Sequence, residues 1–113
     1  MDAIQRREHA NGTGAMLAIS EVKHGFVYNL ETDRKAFDAK VTKFDLMDTY
    51  LPPWAATLPR ARAYMCSYNA VNSVPACMNS FLAQTTARAH WNFSGFVESD
   101  CDSVGDIEVD FKL

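Results

Sequence analysis

The stretch Trp91-Asn-Phe-Ser-Gly-Phe-Val-Glu-Ser-Asp100 ends on a carboxylate. At the tip of a short strand such a group can be a nucleophile, a metal ligand or a cap for the next turn. A second stretch of the same design, Ala63-Tyr-Met-Cys-Ser-Tyr68-Asn69, ends on a phenol and an amide, and a third, residues 15–22, runs into Lys23-His24. Donors and acceptors of these kinds at neighbouring strand ends suit a polyhydroxylated ligand, a sugar, better than an apolar one. Each also has a plainer reading when taken singly. Asp100 then caps a turn, Lys23-His24 opens a solvated loop, and Arg34, flanked by Asp33 and Lys35, is a surface residue.

Other chemistries fail on spacing. Six acids between Glu98 and Asp110 suggest a calcium loop, but counting from Asp100 puts Val104 and Phe111 where an EF-hand needs an oxygen ligand and a Glu, so the acidic end reads as solvated. His9, His24 and His90 have no metal-ligand spacing, Gly12-Thr-Gly14 lacks a preceding strand, and no Gly-x-Ser-x-Gly elbow is present. Glu98 and Asp100 share strand parity and so point the same way, whereas a glycosidase pair flanks the scissile bond, which makes Glu98 a lower strand residue or a salt-bridge partner. Three cysteines without a C-x-x-C pair argue against a metal site and a dense disulfide framework, although Cys66 and Cys77 could pair. Asn11-Gly-Thr and Asn92-Phe-Ser are glycosylation sequons, meaningful in a secreted protein.

The elements that position these groups follow from patterning. Residues 15–22 read as a buried strand; Thr42, with Asp45 three residues on, caps a helix carrying Phe44, Leu46, Met47, Tyr50 and Leu51 at helical spacing. Pro52-Pro53 either breaks that helix or starts a second segment, with the break expected before Trp54. A second strand spans residues 62–68, a turn-rich loop 69–75, and Asn79 caps a helix over about 80–91 with Phe81, Leu82, Thr85 and Ala89 along one side. Gly95 opens the third strand. Alternating strands and helices predict an α/β fold of parallel βα units, whose strand C-termini share one functional face.

Composition narrows the partners. A chain of 113 residues with 48% apolar and 22% charged residues fits one globular domain rather than a disordered segment. Eleven basic against 14 acidic residues, net charge −3 with no basic stripe, exclude nucleic acid as a partner. No apolar run approaches the roughly 20 residues of a membrane span, and residues 1–11 lack the apolar segment of a secretory signal.

Lys23-His24, Arg34-Lys-Ala-Phe-Asp-Ala39, Asp45-Leu-Met-Asp-Thr-Tyr-Leu-Pro-Pro-Trp54, Met65-Cys-Ser-Tyr-Asn-Ala-Val-Asn72, Val74-Pro-Ala-Cys-Met-Asn79 and Trp91 through Cys101 together resemble glycoside hydrolase family 3, and Ser-Asp-Cys resembles its β-xylosidase branch. The resemblance implies a fragment of a (β/α)8 TIM-type barrel of about three βα units: a poorly defined segment over 1–14, a partial family domain over 15–107 and a divergent tail over 108–113. It implies Asp100 as nucleophile, ionised, with a protonated partner acid that matches nothing in this chain and is usually carried by a later domain. Lys23, His24 and Tyr68 match sugar-holding positions, Met65 a wall residue beside the sugar, and Arg34 a recurring motif. The implied substrate is a β-linked xylo- or gluco-oligosaccharide, with no cofactor and no metal, in an extracellular setting. The remainder of the barrel and a second domain are expected to be missing, leaving the isolated chain inactive; sugar binding without hydrolysis and a degenerate, functionless fragment are the alternatives. Gly25 stands where the family usually has an aromatic residue, Ser73 where it usually has Gly, and the loop between Glu31 and Arg34 is short.

Overall fold

The structure is a computed structural model describing residues 18–112, so residues 15–17 of the expected first strand and the Asn11 sequon lie outside the described residues. The strands are β1 (Glu21–Val22), β2 (Asp38–Ala39), β3 (Ala63–Cys66), β4 (Ala70–Val71), β5 (Val74–Pro75) and β6 (Phe96–Ser99). Three of them form a parallel sheet in the order β1-β3-β6, the α/β arrangement expected of barrel βα units, here as an unclosed segment. β3 is the central rail. Its Ala63, Tyr64 and Cys66 are buried, as a parallel strand covered by neighbours requires. Glu21 pairs with Ala63, Ala63 with Phe96, and Met65 with Glu98, so these residues stand on one face; Tyr64 and Cys66 point to the other, into the core.

The first helix, α1, covers 43–57. Its start is as expected: the Thr42 hydroxyl accepts the Asp45 N–H at 3.0 Å. Pro52 and Pro53 do not break it before Trp54. Lacking N–H groups, they leave the carbonyls one turn back without helical donors, and the helix opens instead into a π stretch, Leu46–Tyr50, before resuming as Leu51–Thr57. The Leu51 N–H accordingly reaches Leu46 O, five residues back. The second segment therefore starts at Leu51, and Trp54 lies inside it, buried in the core.

The helix α2 (Phe81–His90) is also wound with five-residue closure, and the Thr86 hydroxyl donates to Phe81 O at 2.8 Å within it. That winding buries Leu82, Thr86 and Ala87, while Phe81, Thr85 and Ala89 face an open apolar groove shared with Met47 and Leu51 of α1. The expected apolar side is thus split between core and groove. The cap is as read: Asn79 Oδ1 accepts the Leu82 N–H at 3.1 Å. Residues 69–75 hold more structure than a loop, because β4 and β5 form a hairpin with β2 alongside, and Asn72 and Ser73 turn it with φ of 50° and 70°. Two consecutive positive φ values define the hairpin turn that favours Asn-Gly, which accounts for the glycine usual at Ser73.

Sheet and helices close over Phe26, Trp54, Tyr64 and Phe93, with Phe26 against Trp54 at 4.6 Å and against Tyr64 at 5.5 Å between ring centroids. Cys66 and Cys77 form a disulfide across 11 residues, which ties β3 to the segment after β5. Gly95 abuts β3 so closely that a Cβ there would stand 2.2 Å from Arg62 O. Because that neighbour is backbone in the strand pairing, Gly95→Ala is expected to lower unfolding free energy by about 3 kcal/mol, the upper end of overpacking costs. Gly105→Ala, whose Cβ would meet nothing within 4 Å, serves as the control. Urea unfolding measures both; equal stability of the two variants would contradict this packing.

Candidate active site

The three parallel strands release their chains at one rim. β1 leads into Lys23-His24 across a cis peptide bond, β3 into Ser67-Tyr68, and β6 into Asp100. The ladder continues past the strand ends. The Asp100 N–H donates to Cys66 O at 3.1 Å, and the Gly25 N–H to Met65 O at 2.7 Å. Both flanking tips are thereby fixed to β3 by backbone bonds.

Asp100 is held on several sides. Its Oδ1 accepts the Cys101 N–H at 2.8 Å, and its Oδ2 lies 3.5 Å from His24 Nε2. The Tyr68 phenol lies beside this carboxylate, and burial, then the neighbouring Asp100 carboxylate, push its pKa up to about 12. At neutral pH Tyr68 is therefore a proton donor. With its side chain 15% exposed, Asp100 keeps access to solvent.

Around Tyr68 the rim is cationic. The Arg34 guanidinium stacks over its ring at 4.8 Å and pairs with Glu31 at 2.9 Å, while Lys35 Nζ stands 5.7 Å from the same ring. Arg34 thus reaches the rim that holds Asp100, His24 and Tyr68. Tyr28 packs edge-on to His24 at 5.4 Å and donates to Glu31 at 2.8 Å. Lys23 is exposed at the tip of β1, and Met65 is half-buried on β3, on the face that carries Glu98.

Asn69 does not join the rim. It is 0% exposed, and its amide donates to Val27 O at 3.0 Å and Ala70 O at 2.9 Å while its Oδ1 sits 2.7 Å from the Ser67 hydroxyl. It braces the loop after β3 against the loop after Lys23-His24 instead of meeting a ligand. Glu98 has no salt bridge among the described residues; it lies near Glu21 on the same face of the sheet, and burial and then Glu98 raise the Glu21 pKa. The acidic end is not wholly solvated either. Asp106, on the helix α3 (Gly105–Val109), is 6% exposed and accepts from Lys35 Nζ at 3.2 Å. That bond clamps the loop bearing Arg34 onto the segment after Asp100. Lys35 and Asp106 escape sequence reading because they meet across 71 residues of chain; Tyr28, beside His24 and Glu31, carries no motif that would single it out.

Parallel βα units that bring a carboxylate, an imidazole and a phenol together at the strand C-termini have the layout of a segment of a barrel's functional face. No family model matches the chain. It is 42% identical over 100 residues, 80% of its length, to an exo-1,4-β-xylosidase of Emericella nidulans. Among solved structures, a family 3 exo-β-xylosidase in complex with a xylobiose aziridine activity-based probe superposes over 82% of the chain with TM-score 0.79 and 36% identity, spanning 13% of that protein. A β-glucosidase from Streptomyces venezuelae in complex with D-glucose covers 78% with TM-score 0.71 and 29% identity, spanning 12% of that protein. The chain belongs to glycoside hydrolase family 3, on its xylosidase-like branch. It spans 13% of the length of the Emericella relative.

The proximity of Asp100 to Tyr68 has a measurable signature. Asp100→Asn removes the charge that opposes phenol ionisation, so Tyr68 is expected to titrate below the value of about 12 held in the native chain. Because the folded value exceeds the ordinary 10, stability falls as pH rises from 10 towards 12 in the native chain, and over a narrower span in the variant. Alkaline titration of tyrosinate absorbance reads both; identical curves would contradict the contact.

Proposed function

We propose that residues 15–107 are a piece of the barrel domain of a retaining β-glycosidase acting on β-linked xylosides, with Asp100 as its nucleophile. The observation that carries this is the convergence on Asp100: a backbone bond to β3, His24 Nε2 at 3.5 Å and the Tyr68 phenol. The carboxylate attacks the anomeric carbon while a separate acid protonates the leaving oxygen, and water then resolves the glycosyl ester with retention. His24 and Tyr68 hold the carboxylate in place. Lys23 and Arg34 supply donors to sugar hydroxyls, and Met65 walls the site.

The acid/base belongs to the rest of the enzyme. Glu98 and Glu21 are poor candidates, because both stand on one face of the sheet and cannot flank a scissile bond from opposite sides. A β-glucosidase is the second reading, favoured by the likeness to the glucose-bound structure. The proposed setting is extracellular; the Cys66–Cys77 disulfide supports an oxidising compartment, and no helix among the described residues is long and apolar enough to cross a membrane.

In the whole enzyme, Asp100→Asn is expected to lower kcat on an aryl β-xyloside by about 10³-fold or more, the scale of losing a nucleophile, with KM little raised. The isolated 113 residues are expected to give no turnover. Hydrolysis by the isolated chain that Asp100→Asn abolishes would overturn the division of labour, and an active Asp100→Asn whole enzyme would overturn the assignment.

A further inference from the structure

We infer that Asn92 is an N-glycosylation site, with the glycan standing at the end of the sheet away from the rim. The sequon Asn92-Phe-Ser occupies the turn between α2 and β6, where Asn92 takes φ 56°, a left-handed conformation that Asn tolerates. Asn92 and Ser94 are both exposed, and neither side chain has a partner among the described residues. The other described asparagines differ in kind. Asn69 and Asn79 are buried, Asn72 bonds Val41 through both side-chain ends, and Asn29 reaches Tyr50. A glycan on Asn92 therefore displaces no native hydrogen bond.

Placement and compartment agree with this. Asn92 precedes β6 and Asp100 follows it, so the strand's four residues alone put roughly 13 Å between the glycan and the rim. The Cys66–Cys77 disulfide independently points to the oxidising compartment in which such transfer occurs. Phe93, between the two sequon ends, is buried, with its N–H bonded to Ala87 O at 2.9 Å and its carbonyl to Arg88 at 3.2 Å. The folded tripeptide cannot enter a transferase, so the glycan is added during translocation, before Phe93 docks. In the step, the Asn92 Nδ2–C1 bond forms and the C1–O bond to a lipid pyrophosphate carrier breaks. The lipid pyrophosphate leaves, and the amide proton passes to solvent.

The inference rests on the proposed secretion but not on the proposed chemistry, and its test needs no activity. The chain is translated in vitro with microsomes behind a cleavable leader, which makes translocation independent of its own targeting. The protease-protected product is then mapped by mass spectrometry before and after endoglycosidase. Expected is a glycan on the Asn92 peptide, lost in Asn92→Gln and retained in Asn11→Gln, with folded chain added after synthesis left unmodified at Asn92. Protease-protected chain bearing no glycan at Asn92 would overturn the site, and efficient modification of the folded chain would overturn the timing.

Discussion

One backbone hydrogen bond governs the site: Asp100 N–H to Cys66 O, the continuation of the β3–β6 ladder one residue beyond the strand. A one-residue slip in that pairing would send every β6 side chain to the opposite face and turn Asp100 away from His24 and Tyr68. The register is secured at the other end of β6, where Gly95 admits Arg62 O closely enough to accept the Phe96 N–H at 3.1 Å. On the far side of β3, Gly25 does the corresponding work against Met65 and Cys66. An aromatic Cβ at position 25 would stand 3.0 Å from Met65 O; here the aromatic group falls at Phe26 instead, which adopts φ 76° to pack between Trp54 and Tyr64.

Features set by neighbours in sequence were legible before the structure. The Thr42 and Asn79 caps, the start of the third strand at Gly95 and the strand tips at Tyr68 and Asp100 all arise from local chemistry. Features set by distant partners were not. Asn69 looked like a ligand donor because its type fits one, yet a carbonyl 42 residues away claims it; Asp106 looked solvated because Lys35 lies 71 residues upstream. The effect of Pro52-Pro53 was half legible. Missing N–H groups predict disruption, but whether a helix breaks or widens depends on what Leu51 and Trp54 gain by staying in the core.

The rim also shows why Tyr68 matters beyond its hydroxyl. Its ring carries Arg34 on one side and has Lys35 nearby, and Lys35 is anchored to buried Asp106, so side-chain contacts join the loop over 33–37, the phenol and the segment after Asp100 into one unit. In the relatives such a unit belongs to a longer protein, of which this chain spans about an eighth. In that setting the exposed Phe96 and Val97 of β6 and the apolar groove between α1 and α2 are surfaces that further barrel elements would cover.

The central claim, that Asp100 is the nucleophile, is tested most directly by trapping the covalent intermediate. The whole enzyme is reacted with a mechanism-based xyloside inactivator that forms a slow-turning-over ester, then digested and sequenced by tandem mass spectrometry. The account predicts one glycosyl adduct, on the Asp100 carboxylate. An adduct on Glu98, Asp102 or a carboxylate outside this chain, with Asp100 unmodified, would contradict it.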